Sequence, residues 1–111
     1  MIRVEQVWLA TAAIDMRAGP DSALARVVAV FGAARPHNAY VFTNRRANRI
    51  KVLVHDGFGL WLCSRRLYQG RFVWADEDGA GRKMISRAQF DALVIGLPWL
   101  FADEPREIAL V

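Results

Sequence analysis

The feature that most constrains this chain is a change of hydrophobic period partway along it. Leu24, Val27, Val28 and Phe31 recur at the spacing of one apolar helix face. From residue 39 the period drops to two. Residues 39–43 are strand formers. Over residues 49–54, Ile50, Val52 and Val54 point one way, and Arg49, Lys51 and Leu53 the other. Between these runs, Asn44-Arg45-Arg46-Ala47-Asn48 reads as a hairpin loop, with two Asn able to take turn geometry. Asp56-Gly57 marks a second hairpin, leading into a strand over residues 60–66. Gly70 precedes a short strand over residues 71–74.

Upstream, residues 7–13 read as a first strand, separated from the helix by Gly19-Pro20. Asp21 or Ser22 supplies the helix N-cap, and Gly32 sits where a left-handed C-terminal residue belongs. Downstream, Ser86 and Gln89 have the spacing of a capping box. They open a helix whose Phe90, Leu93, Val94 and Leu97 form an apolar face ending at Pro98. The expected fold is α+β: an antiparallel β-meander of three to five strands, flanked by an N-terminal and a C-terminal helix. The 111 residues suit a single domain, residues 1–102, followed by an acidic tail, residues 103–111, expected to be flexible.

Several function classes fall away on composition. Four Trp and six Phe are incompatible with a disordered chain. The single cysteine, Cys63, cannot form an intrachain disulfide and reads as a packed mid-strand thiol. The longest apolar stretch, residues 92–102, is broken by Pro98 and is short of the ~20 residues that a spanning helix needs. The apolar run after Glu5 and Gln6 reads as a buried strand rather than a signal peptide, so a cytoplasmic location is expected. His37 and His55 are too few for a metal ligand set, and His55-Asp56 reads as a strand end and turn. The acidic loop over residues 76–81 resembles a calcium loop, but two positions that need oxygen ligands hold Ala80 and Arg87. Gly57-Phe58-Gly59 leads into a strand rather than a helix and so is no phosphate loop. No cofactor, metal or catalytic constellation is expected. The one enzymatic alternative is a nuclease carboxylate pair, Asp15 with Asp56.

The charge is concentrated. Of 15 basic residues, Arg35, Arg45, Arg46, Arg49, Lys51, Arg65, Arg66 and Arg71 fall within one third of the chain, against a single acid, Asp56. Uncompensated like charge across a sheet destabilises it, and a merely solvated face would mix signs. Arginine also carries a planar fork that matches phosphate. These residues therefore point to a nucleic-acid surface made of Asn44, Arg45, Arg46, Arg49, Lys51, Arg65, Arg66 and Arg71. The interleaved Trp61, Tyr68, Phe72 and Trp74 are expected in the core, because a small domain needs large apolar groups to fill it. Arg17, beside Asp15, reads as half of a structural ion pair.

Four blocks carry a family resemblance. They are Asp15-Met16-Arg17 with Gly19; residues 41–53, holding Asn44-Arg45-Arg46-x-x-Arg49-Ile50-Lys51; Asp56-Gly57 with Gly59; and Arg66-Leu67-x-x-Gly70-Arg71-Phe72-x-Trp74. In this order and spacing they resemble the TnpB accessory proteins of the insertion sequence 66 family, over residues 7–100. Met84-Ile85-Ser86-Arg87-Ala88-Gln89 is similar to the family's strand-to-helix passage. The chain departs from the family pattern at Ala18, His55, Ser64-Arg65 and Ala75. The resemblance implies a bacterial mobile-element protein, encoded beside the transposase and needed for transposition. It supports DNA as a partner and supplies no reaction. Two readings stay open: a non-enzymatic factor that binds element ends or the transposase–DNA complex, or a module that docks on the transposase through residues 97–101 without touching DNA.

Overall fold

Residues 38–43 are buried without exception, which only a strand covered on both faces can achieve. This strand organises the molecule. The computed structural model describes residues 3–17, 19–75 and 80–99. In chain order the elements are β1 (Gln6–Ala10), α1 (Pro20–Phe31), β2 (Asn38–Thr43), β3 (Arg49–His55), β4 (Leu60–Arg66), β5 (Arg82–Ile85) and α2 (Arg87–Val94). The sheet runs β4-β3-β2-β1-β5. β2, β3 and β4 form the expected meander, with Val41 opposite Val52 and Val52 opposite Cys63.

The first strand corrects the all-antiparallel expectation. β1 pairs with β2 in parallel, Val7 against Ala39 and Leu9 against Val41, so the sheet is mixed. Parallel neighbours cannot be joined by a tight turn. α1 is therefore a crossover between β1 and β2, and neither helix lies at a chain terminus. A strand, a helix and a second strand in succession already carry that signal. β1 ends at Ala10, earlier than its apolar run suggests, and β5 pairs antiparallel with its other side, Trp8 opposite Met84.

Each face of the sheet has its own core. On one, Ala23 and Val27 of α1 pack on Ala10, Tyr40, Phe42 and Leu53. The Tyr40 hydroxyl donates to the Ala33 carbonyl at 3.2 Å and accepts from the Arg35 amide at 2.8 Å, pinning the passage from α1 into β2. On the other, Leu93 of α2, Phe72 and Trp99 cover Val7, Leu9, Val41, Ile50 and Val52. Truncating a ring as buried as Phe42 to alanine costs about 3–5 kcal/mol. Val28, assigned to the buried face of α1, is instead half exposed, because the face turns toward Ala23.

Two local expectations fail for physical reasons. The N-cap of α1 is Gly19, with Pro20 opening the helix and no side-chain cap. Proline suits that position, where its missing N–H is no loss. Residues 71–74 form no strand: the segment leaves the free edge of β4 unpaired and lies over the sheet instead, the Phe72 amide donating to the Ala47 carbonyl. Phe72 is buried there, and the Trp74 indole donates to the Ala10 carbonyl at 2.9 Å. The capping box holds, with the Ser86 hydroxyl accepting from the Gln89 amide at 3.0 Å and the Gln89 side chain accepting from the Ser86 amide at 2.9 Å. Gly32 ends α1 at φ +88°. Most of the acidic loop (76–79) and all of the tail (103–111) lie outside the described residues.

Candidate nucleic-acid interface

The β2–β3 hairpin sets the geometry of the basic residues. Its loop is held by Asn44. The side-chain oxygen of Asn44 accepts from the amides of Asn48 at 3.0 Å and Arg49 at 3.1 Å, and its Nδ2 donates to Asn48 Oδ1 at 2.6 Å. Ala47 closes the turn at φ +57°, a left-handed conformation that costs a residue with a Cβ. With the backbone fixed, Arg45 and Arg46 project from the tip into solvent. The Asn44 side chain is thus engaged inside the loop. It shapes the tip, and the arginines supply its charge.

The other bases gather at the same end of the sheet. Arg49 lies directly opposite Arg66 across the β3–β4 ladder. The amide of Leu67 donates to Asn48 and that of Asp56 to Gly59, which makes odd-numbered β4 residues the hydrogen-bonded partners of β3. Arg66 and Arg49 are accordingly a non-hydrogen-bonded pair, with side chains about 4.5–5.5 Å apart at Cβ. Lys51 shares their face, while Arg65 stands opposite Ile50 on the other face of β4. Arg71 is exposed on the segment whose next residue, Phe72, donates its amide to the Ala47 carbonyl.

Two adjoining clefts result. The larger, about 520 Å³, is lined by Asn44, Arg45, Arg46, Asn48, Arg49 and Arg66 on one side, and by residues 13–16 on the other. The second, about 340 Å³, is lined by Arg49, Lys51, Arg65 and Arg66 with Met16. Arg65 lines the second cleft although it stands on the other face of β4, and Arg71 lines neither cleft. Among the described residues, the ion pairs are Arg3–Glu5, Arg17–Asp15 and Arg87–Asp91, and none involves an arginine of these clefts.

The far wall of the larger cleft, residues 13–16, was not legible as part of the site. The Ile14 amide donates to the Thr43 carbonyl, holding this loop against the end of β2. The missing signal was the parallel pairing of β1 and β2, which brings the loops after both strands to one end of the sheet. Asp15 sits in that wall with Arg17 wrapped around it, Nη2 to Oδ2 at 2.7 Å, the structural ion pair anticipated above. The hydrogen bonds from the Arg17 side chain and backbone, with smaller help from the Lys51 charge, hold the Asp15 carboxyl down at about 2.

Asp56 lies at the other end of the sheet. It follows His55, which pairs with Asn38 at the start of β2, whereas Asp15 flanks the end of that strand. A six-residue strand of roughly 20 Å separates them, so they form no shared carboxylate site. Asp56 instead organises the β3–β4 turn. Its Oδ1 accepts from the amides of Phe58 and Gly59, and its Oδ2 from the Trp61 indole at 2.8 Å. Those bonds hold its carboxyl below the ordinary value of 3.8, the Phe58 amide foremost. Of the aromatics assigned to the core, Phe72 is buried and Trp74 partly so, but Trp61 is 49% exposed and Tyr68 fully so. Cys63 is exposed as well, because of the β4 residues only Leu62 packs against either core.

The family model described as "IS66 Orf2 like protein" matches residues 5–103. Two proteins of Sinorhizobium fredii are similar, both named as uncharacterized. The protein y4hO is 39% identical over 100 residues, covering 89% of this chain and 86% of its own length. The protein y4jC is 31% identical over 97 residues, covering 85% and 80%. No solved structure matches. The chain belongs to the IS66 Orf2-like family, and membership points to an accessory role in insertion-sequence transposition, in association with the transposase. Among the described residues no helix is long and apolar enough to cross a membrane.

Proposed function

We propose that this IS66 Orf2-like protein is a non-enzymatic accessory factor that binds DNA, at the element ends or in the transposase–DNA complex, through its Arg-rich hairpin end. The observation that carries this reading is the Arg49–Arg66 pair. Two guanidinium groups face each other across a ladder, flanked by Arg45 and Arg46, with no ion pair to a carboxylate among the described residues. Such an arrangement costs folding free energy unless a polyanion neutralises it. Arg45, Arg46, Arg49 and Arg66 line the cleft that receives the phosphates. Lys51 and Arg65 extend the basic surface into the adjoining cleft, and Arg71 adds charge beside the hairpin loop. Phosphate contacts of this kind position a protein without reading sequence. The site of action is the nucleoid.

The alternative contact, residues 97–101, has less behind it in its described part: Leu97 is half exposed, and residues 100 and 101 lie outside the described residues. Trp99 is fully buried and its indole donates to the Val73 carbonyl at 2.6 Å, so it belongs to the core. The test is Arg45→Ala combined with Arg46→Ala, both at exposed positions. Retention on element-end DNA is expected to fall by at least about tenfold while transposase binding persists. Loss of transposase binding with DNA retention intact would overturn the assignment.

A further inference from the structure

The two edges of the sheet are finished differently. β5 is four residues long, carries Arg82 and Lys83, and runs directly into α2. Short, charged edges resist pairing with another chain. β4 is seven residues long, contains no proline, and is exposed at every position except the half-buried Leu62. Beyond it no described strand pairs. Large apolar side chains collect there: Leu60 and Trp61 on the strand, and Phe58, fully exposed, in the turn before it.

The ladder to β3 fixes which backbone groups β4 has left over. Odd-numbered residues of β4 bond to β3, so the N–H and C=O groups of Leu60, Leu62, Ser64 and Arg66 point outward. An antiparallel partner must pair those even positions. Only one register uses the whole strand when the partner is another β4: Leu60 against Arg66, Leu62 against Ser64, and the two-fold axis at Cys63. That register also sets Trp61 against Arg65 on one face. Every arginine then meets an apolar or aromatic side chain of the other copy, Trp61 with Arg65 as a cation–π pair. A shift of the axis to Arg65 would set arginine against arginine. The complementarity is internal to one seven-residue strand.

We infer that β4 is a self-pairing edge, through which two copies of this chain join about Cys63 into one continuous ten-stranded sheet. The two Cys63 residues face each other as a non-hydrogen-bonded pair. Their Cα atoms are then about 4.5 Å apart, within the range a disulfide spans. The thiols report the axis and are not required for association.

The experiment uses the full chain without DNA. Sedimentation at micromolar concentration is expected to give a dimer under reducing conditions. Mild oxidation by copper–phenanthroline is expected to convert it to a covalent dimer, which Cys63→Ser abolishes while leaving the reduced dimer intact. Trp61→Arg places like charges across both symmetry-related pairs and is expected to weaken dimerisation at least about tenfold. Ser64→Pro removes an outward N–H without touching the β3 ladder and is expected to do the same; circular dichroism checks the fold of both. A monomer at all concentrations, or a dimer whose Cys63 residues do not cross-link, would overturn the inference.

Discussion

The two hairpin turns of the meander are built on one device and present opposite chemistry. In each, the first loop residue folds its side chain back onto the amides that follow: Asn44 onto Asn48 and Arg49, Asp56 onto Phe58 and Gly59. Asn44 is neutral, so the arginines beside it keep their full charge. Asp56 is an anion whose remaining oxygen takes the Trp61 indole. The molecule is therefore polar end to end, guanidinium groups at the β2–β3 turn and exposed rings at the β3–β4 turn. The same backbone solution leaves the choice of ligand to the residues around it.

Breaking the first turn should have the larger effect. Asn44→Ala strands the partly buried amide of Asn48 and frees the exposed amide of Arg49, at a cost of about 1–3 kcal/mol by thermal or urea unfolding, most of it from Asn48. DNA binding should fall with it, since Arg45 and Arg46 lose their fixed base. An unchanged melting temperature would remove Asn44 from its organising role. A smaller change of opposite sign is expected at Ala47, held at φ +57°. Ala47→Gly should stabilise by about 0.5–1 kcal/mol with DNA affinity unchanged, because only backbone strain is relieved.

The second turn should show itself in acid. The Asp56 carboxyl sits below its ordinary value of 3.8, so its contribution is present above that pH and is lost as pH falls through the folded value. The difference in melting temperature between the wild type and Asp56→Asn should be constant near neutrality and shrink in acid. The effect is small, since the group is exposed and screened. A difference that stays constant to strongly acid pH would mean that the turn gains nothing from the charge.

Much of this was legible in the residues. Both turns followed from Asn, Asp and Gly placement, the Ser86–Gln89 box from its spacing, and the concentration of arginine from simple reading. What was lost was long-range. Periodicity says that residues 6–10 are extended but not which neighbour they choose, and the parallel choice alone brings residues 13–16 to the hairpin. Likewise alternation placed Cys63 and Trp61 in a strand without revealing that neither core reaches them. Arg65 and Arg66 are adjacent in sequence and therefore on opposite faces, a consequence of period two.

The central claim is that the hairpin end meets phosphate, and its most direct test is the affinity for element-end DNA measured across a salt series. With about six bases on phosphates, the log of the binding constant should fall against log salt with a slope near −5. Combining Arg45→Ala with Arg46→Ala should flatten that slope by about 2. An affinity indifferent to salt, or a slope that the double substitution leaves unchanged, would contradict the account.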